Sequence, residues 1–199
     1  MSKLFTSCVI AMVLLGGCAM SAPPAPAAAT ADGAYDASAP VLKDGTEGLF
    51  ADALSSLQEG ELKRAEKLLA RLTRRQPELT GPWLNLARLQ LERDDLDAAK
   101  ASYASALEAD PQSCPAHVQL AVLLRREGEF EAARSHYMSC LEADPEFSVA
   151  HLNLGILSEL YLGDLSMALV AYERYLELAP EGEPRVKIWV ADLKRRLGA

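Results

Sequence analysis

The chain has little with which to do chemistry. Only three histidines occur in 199 residues, and no pair of them stands at metal-ligand spacing with carboxylates or thiolates at hand. No glycine-rich loop could cradle a phosphate, and no nucleophile elbow is present. These absences argue against an enzyme and against a bound cofactor or metal. Basic residues are scarce as well, 20 against 28 acidic ones. A chain of that balance is a poor general ligand for nucleic acid or anionic lipid heads. The apolar run Leu4 to Leu15 is too short to span a bilayer as a stable helix.

What the chain does have is a period. Pro77, Pro111, Pro145 and Pro180 are separated by 34, 34 and 35 residues. Ala65, Ala99, Ala133 and Ala168 keep the same beat, as do Leu69, Tyr103, Tyr137 and Tyr172. Gly60, Asp94, Gly128 and Gly163 recur near turns. Leu107-Glu-Ala-Asp-Pro111 returns as Leu141-Glu-Ala-Asp-Pro145. A fixed period of this size predicts a stacked array of small units.

Each unit reads as two helices. Trp83, Leu86, Ala87, Gln90 and Leu91 stand at helical spacing, Asp94-Asp95 breaks the pattern, and Ala98, Ala99, Tyr103, Ala106 and Leu107 form a second stripe. The proline that follows pushes its predecessor out of the helical region and ends the unit. After the last unit, Pro184 opens a helix whose stripe is Val186, Trp189, Val190, Leu193 and Leu197, with Lys194, Arg195 and Arg196 near its end.

The pattern Trp83, Leu86, Ala87, Ala99, Tyr103, Ala106 and Pro111 resembles the tetratricopeptide repeat. A second copy runs through His117, Leu120, Ala121, Ala133, Tyr137, Cys140 and Pro145. A third has His151, Leu154, Gly155, Ala168, Tyr172, Tyr175 and Pro180, with one extra residue near Tyr161-Leu162. An earlier copy is degenerate and keeps Ala65, Leu69 and Pro77. The resemblance implies an all-α fold, a superhelical array of antiparallel helix pairs over residues 46–180, about four units in all. Residues 181–199 then form a capping helix.

The resemblance also implies a binding face. First helices of this family line the concave side. Leu84, Arg88 and Leu91 map there, followed by Val118, Val122, Arg125 and Arg126, then Leu152, Ile156 and Glu159, with Phe50 and Leu54 in the degenerate unit. Together they form an apolar groove with an arginine cluster in an acidic protein, suited to a peptide with apolar anchors and some acidic groups. Any one of the aliphatic residues could equally pack between helices. Leu84, Val118 and Leu152 stand where family members that clamp a C-terminal carboxylate need Lys, so that specificity is not expected. No small-molecule substrate is implied.

The first residues read as an export signal. Lys3 is followed by the apolar run and then by Gly16-Gly17-Cys18. Leu15-Gly16-Gly17-Cys18 resembles the bacterial lipoprotein signal, which implies cleavage after residue 17 and lipidation of Cys18. Ordinary cleavage with a free Cys18 is the alternative. Residue 19 is Ala rather than Asp, so the inner-membrane retention signal of such lipoproteins is absent and the outer membrane is the expected address. Residues 18–45 are Ala/Pro-rich without an apolar period and read as a flexible linker. About 25 such residues give a root-mean-square reach of roughly 25–30 Å. Loss of Lys3 with the signal leaves 19 basic and 28 acidic residues, a net charge of −9.

Of four cysteines, Cys8 leaves with the signal and Cys18 is committed to lipid. Cys114 and Cys140 remain, at the same end of one helical hairpin, in an oxidising compartment. The residues leave two readings open, a disulfide or a small buried side chain at Cys140 matching Ala106 and Tyr175 in neighbouring units. The functional expectation is a non-catalytic, lipid-anchored periplasmic adaptor for a protein of an envelope machine, similar to pilotins and pilus-assembly lipoproteins. The alternatives are a periplasmic chaperone for exported clients and a regulatory partner of an envelope enzyme. The anchor is tested directly: Cys18→Ser should move the mature protein from the membrane fraction to the soluble periplasm, and a wild-type protein already soluble there contradicts it.

Overall fold

The structure is a computed structural model and describes residues 46–198. The signal, Cys18 and the linker to residue 45 lie outside the described residues. Nine α-helices follow one another without a strand among the described residues. They are α1 (Glu47–Gln58), α2 (Leu62–Arg75), α3 (Thr80–Glu92), α4 (Leu96–Ala109), α5 (Cys114–Arg126), α6 (Phe130–Ala143), α7 (Ser148–Leu157), α8 (Leu165–Leu178) and α9 (Arg185–Leu197). Helices pair as α1/α2, α3/α4, α5/α6 and α7/α8, each pair packs on the next, and α9 packs on α8.

The recurring turn residues have a backbone reason. Gly60, Asp94, Gly128 and Gly163 all sit at positive φ, between 59° and 85°, where each hairpin reverses. Asp is one of the few side chains that tolerates this region. The repeated Asp-Pro segments work at the other end of the unit. Asp110 and Asp144 leave the helix in an extended conformation, as a residue before proline must. Each then folds its carboxylate forward, Asp110 Oδ1 accepting from the Gln112 amide and Asp144 Oδ1 from the Glu146 amide, both at 3.0 Å. Asp95 and Asp164 cap the second helices, accepting from Ala98 and Met167 amides.

A polar stitch joins consecutive units. Trp83 Nε1 donates to the Pro77 carbonyl at 2.9 Å, His117 Nε2 to that of Pro111 at 3.0 Å, and His151 Nε2 to that of Pro145 at 2.9 Å. Trp and His alternate at this position because both pair a flat ring with a ring N–H. The extra residue of the last unit is absorbed in a π-helical turn, Ser158–Leu162, that continues α7.

Small residues set how closely the helices approach. Ala65, Ala99, Ala133 and Ala168 are fully buried. Ala87 shares a core cluster with Tyr103, and Ala121 with Tyr137. In the last pair the small residue is Gly155, where an added Cβ would come within 2.5 Å of Tyr172 Cδ1.

Cys114 and Cys140 form a disulfide with Cα atoms 4.6 Å apart. It ties the start of α5 to the end of α6 across a separation of 26 residues. A loop of this length stabilises by about 3 kcal/mol in the chain-entropy account. One turn away, His117 Nδ1 and His136 Nδ1 meet at 3.0 Å. His117 Nε2 carries the proton given to Pro111, so in the neutral pair His117 Nδ1 accepts and His136 Nδ1 donates. His136 is therefore a half-buried partner of α5, not the exposed mid-helix residue that its place beside Tyr137 suggests.

Two outcomes follow for stability. Gly155→Ala should overpack the α7/α8 contact and cost roughly 1–3 kcal/mol, read as a lowered denaturant midpoint at unchanged m-value. Burial, then the His117 charge, hold the His136 pKa below its ordinary 6.5. The unfolded chain thus binds the proton more readily, so His136 contributes stability above pH 6.5 that is lost as pH falls through its folded value. Wild type should lose midpoint between pH 6.5 and 5, above the carboxylate range, while His136→Gln should show a flatter profile there.

Candidate functional site

The groove must be built from what the first helices leave open. Leu84 and Arg88 on α3 and Val122 on α5 are partly exposed, and Arg126 at the end of α5 is exposed. These four reach the surface of the groove. Arg88 lies 3.9 Å from Glu92 and Arg126 lies 3.9 Å from Asp94, both as loose surface pairs.

Five other expected groove residues are not surface. Val118 is buried in the cluster that joins α5, α6 and α7, with Ala150 and Leu154 of the next unit in the same cluster. Leu152 and Ile156 share a cluster with Val186 and Leu193 of α9, with Trp189 and Val190 packed against it. The capping helix therefore does more than close the end of the array: it covers the face that α7 would have offered. It is pinned there by Arg196 to Glu159 at 3.0 Å and Lys194 to Glu173 at 2.7 Å, and by Trp189 against the Tyr172 ring. Arg125 is also buried, 8% exposed, with its guanidinium 5.5 Å from the centre of the Tyr161 ring. Phe50 of the degenerate unit is buried as well.

The open part of the groove contains a cleft of about 410 Å³. Thr80 and Leu84 of α3, the Asp110–Pro115 turn, Ala143, Asp144 and Phe147 surround it. The carboxylates of Asp110 and Asp144 lie at this end, near the starts of α5 and α7. Arg88 and Arg126 lie towards the other end of the first helices, so an exposed strip of opposite charge runs along the helix direction. Asn85 and Asn153 do not serve this surface. Each is buried and donates to a carbonyl of its own helix, Gly81 and Val149, at 2.9 and 3.0 Å.

A second polar group lies between the last two pairs. Tyr172 Oη donates to Glu159 Oε2 at 3.2 Å. Tyr137 and Arg125 stand at the same repeat positions one unit earlier, but are not bonded to each other. Burial pushes the Tyr137 hydroxyl well up, and the Arg125 charge pulls it partly back. The Tyr161 ring packs on Phe130 with centroids 4.9 Å apart. Sequence reasoning placed Arg125 on the open groove. Leu91, Arg125 and Glu159 share one repeat position, which an apolar residue, a cation and an anion fill in turn, so nothing in the repeat marked Arg125 as interior. No group of three or more metal-ligating side chains comes together among the described residues.

Two family models described as tetratricopeptide repeat match residues 56–123 and 115–147. No curated protein matches the sequence. Among solved structures, a tetratricopeptide repeat protein from Parabacteroides merdae is 26% identical with a TM-score of 0.65, the match covering 77% of this chain and 60% of that one. The pilF protein of Pseudomonas aeruginosa is 22% identical with a TM-score of 0.64, over 76% of this chain and 68% of that chain. The first repeat domain of Spaghetti (RPAP3), solved with the HSP90 peptide SRMEEVD, is 20% identical with a TM-score of 0.53, over 59% of this chain and 91% of that chain. The stacked hairpins, the repeat residues and these matches agree: residues 56–147 carry tetratricopeptide repeats, and the array has the fold of tetratricopeptide repeat proteins.

Proposed function

We propose that this protein is a non-catalytic adaptor, anchored through Cys18 to the outer membrane, that holds a polypeptide partner of an envelope machine in the groove between α3 and α5. The observation that carries the reading is the open strip Leu84, Arg88, Val122 and Arg126 beside the 410 Å³ cleft. It is partly apolar, bears basic groups in an acidic protein, and belongs to a fold that presents peptides to such a face. The Spaghetti domain holds a peptide, which supports the peptide class. The pilF structure shares the fold, and the envelope assembly role rests on the export signal together with the resemblance of the repeats to pilus-assembly lipoproteins. The Cys114–Cys140 bridge supports residence in an oxidising compartment, in keeping with the export signal.

Arg88 and Arg126 separate this reading from a purely structural one. Their ion pairs are loose and exposed, so they contribute little to stability. Arg88→Glu combined with Arg126→Glu should leave the melting temperature nearly unchanged and abolish crosslinking to the partner in intact cells. A double variant that crosslinks to the same protein at wild-type yield places the partner elsewhere. Many weak, unrelated clients in place of one stoichiometric partner identify a chaperone instead.

A further inference from the structure

The seam between α5 and α6 carries two pairs of side chains that the adaptor reading does not use. Cys114 and Cys140 face each other with Cα atoms 4.6 Å apart. His117 and His136 face each other with Nδ1 atoms 3.0 Å apart and ring centroids 5.2 Å apart. Cys114 and His117 stand three residues apart on α5, and His136 and Cys140 four apart on α6. Both spacings put the two side chains on one face of a helix, with Cβ atoms about 5–6 Å apart. Four ligating side chains therefore occupy about one helical turn of a single seam. The two halves lie on different helices, and only the hairpin brings them together.

The histidine pair is already close to a ligand geometry. A cation bound tetrahedrally by two imidazoles at about 2.0–2.1 Å holds their nitrogens roughly 3.3 Å apart, near the observed separation of the two Nδ1 atoms. His117 gives its Nε2 proton to the Pro111 carbonyl, which leaves the Nδ1 lone pair facing the seam. Metal-bound histidines are commonly oriented by a bond of this kind. His136 fills that lone pair with its own Nδ1 proton. Moving this proton to Nε2 of the half-buried His136 ring frees both Nδ1 atoms for one cation. A thiolate and an Nδ1 on one helix face, with metal bonds of about 2.3 and 2.0 Å, span the gap between their Cβ atoms.

The surroundings limit the charge such a site can carry. Cys114, His117 and Cys140 are buried, and Val118, Ala121 and Ala133 belong to the same cluster as the two cysteines. A dication held by two thiolates and two neutral imidazoles has no net charge and so suits an apolar seam. Thiolate with imidazole selects zinc over oxygen-seeking magnesium or calcium. While the bridge is closed the sulfurs hold each other, and no set of three ligands exists among the described residues.

We propose that Cys114, His117, His136 and Cys140 form a Cys2His2 zinc site in the reduced chain, so that a cation and the disulfide are alternative staples for the third hairpin. A dithiol reductant passes two electrons and two protons to the bridge by thiol–disulfide exchange and leaves as its own disulfide. Zinc then displaces both thiol protons to solvent and keeps its oxidation state. The site is independent of the groove and of the partner held there.

The test uses the mature chain carrying Cys18→Ser, in which Cys114 and Cys140 are the only cysteines. It is reduced with a phosphine, freed of metal and titrated with cobalt(II) as the spectroscopic stand-in for zinc. One cobalt per chain should bind, with the visible bands of a tetrahedral site and a near-ultraviolet thiolate-to-cobalt band, and zinc should bleach both. The oxidised protein should show neither band. His136→Gln should weaken cobalt binding by at least the roughly 10–100-fold that loss of an outer-shell partner costs, and should leave the thiols open to alkylation in zinc that protects the wild type. If reduction loosens the hairpin, zinc should restore its helical signal. A reduced wild type without the thiolate-to-cobalt band, or without zinc-restored helicity after such loosening, overturns the site. Unchanged affinity and spectrum in both His117→Gln and His136→Gln overturn it too, since they show an adventitious dithiol chelate only.

Discussion

A helix of thirteen or fourteen residues, paired with one other, cannot bury its apolar face, and the close contact between a small residue on the first helix and a ring on the second is what lets pairs stack. Ala87 with Tyr103, Ala121 with Tyr137 and Gly155 with Tyr172 repeat this contact. Each ring is nearly or wholly buried. The ring fills the space that the missing side chain leaves, so the two residue types must change together. The period of the sequence is the period of this contact, and the proline, the turn residue and the ring N–H to carbonyl stitch all serve to bring the next copy into the same register. The disulfide and the histidine pair add to the third unit alone. That unit holds α5, which supplies Val122 and Arg126 to the proposed contacts.

The same packing decides how much surface is left for a partner. Each first helix has a face towards the groove, but a short array with a helix folded over its end uses much of that face for itself. Leu152 and Ile156 are spent on α9, and Val118 on α7. The available face is thereby restricted to α3 and the outer part of α5. A restricted face is better suited to a short segment than to an extended chain running the length of the array, because binding strength comes from a few anchors in a local pocket.

Much of the fold was legible in the sequence because a repeat averages out local ambiguity. A single stripe such as Trp83–Leu91 is ambiguous, but three stripes at one spacing fix helix type, hairpin length and register together. The extra residue near Tyr161-Leu162 was legible as an insertion, though not as a π-helical turn, since nothing local distinguishes one from a longer loop. The binding face was legible only in part. Repeat position tells which side of a helix a residue occupies, but burial there depends on what folds over it. The apolar stripe of α9 announced a capping helix without revealing that its target includes Leu152 and Ile156. Arg125 is the sharper case. A charged residue at a groove position reads as exposed, and only the placement of Tyr161 from the following unit makes it interior.

The closed and open ends of the groove also bear on the proposed anchor. With α9 covering the last unit, the accessible strip lies towards the N-terminal units, and α1 begins directly after the linker at residue 46. A chain tethered through Cys18 is therefore joined to the membrane at the end of the array where the binding face is open. On the proposed anchor, a linker as flexible as its composition predicts would reach roughly 25–30 Å and so set the height at which that end could work. A partner held there is confined near the membrane surface, which raises its effective concentration for neighbours in the same membrane without any further contact. An adaptor anchored at its opposite end would hold the partner farther out by the length of the array. A covered C-terminal face combined with the proposed N-terminal tether would thus favour partners that act at the membrane itself.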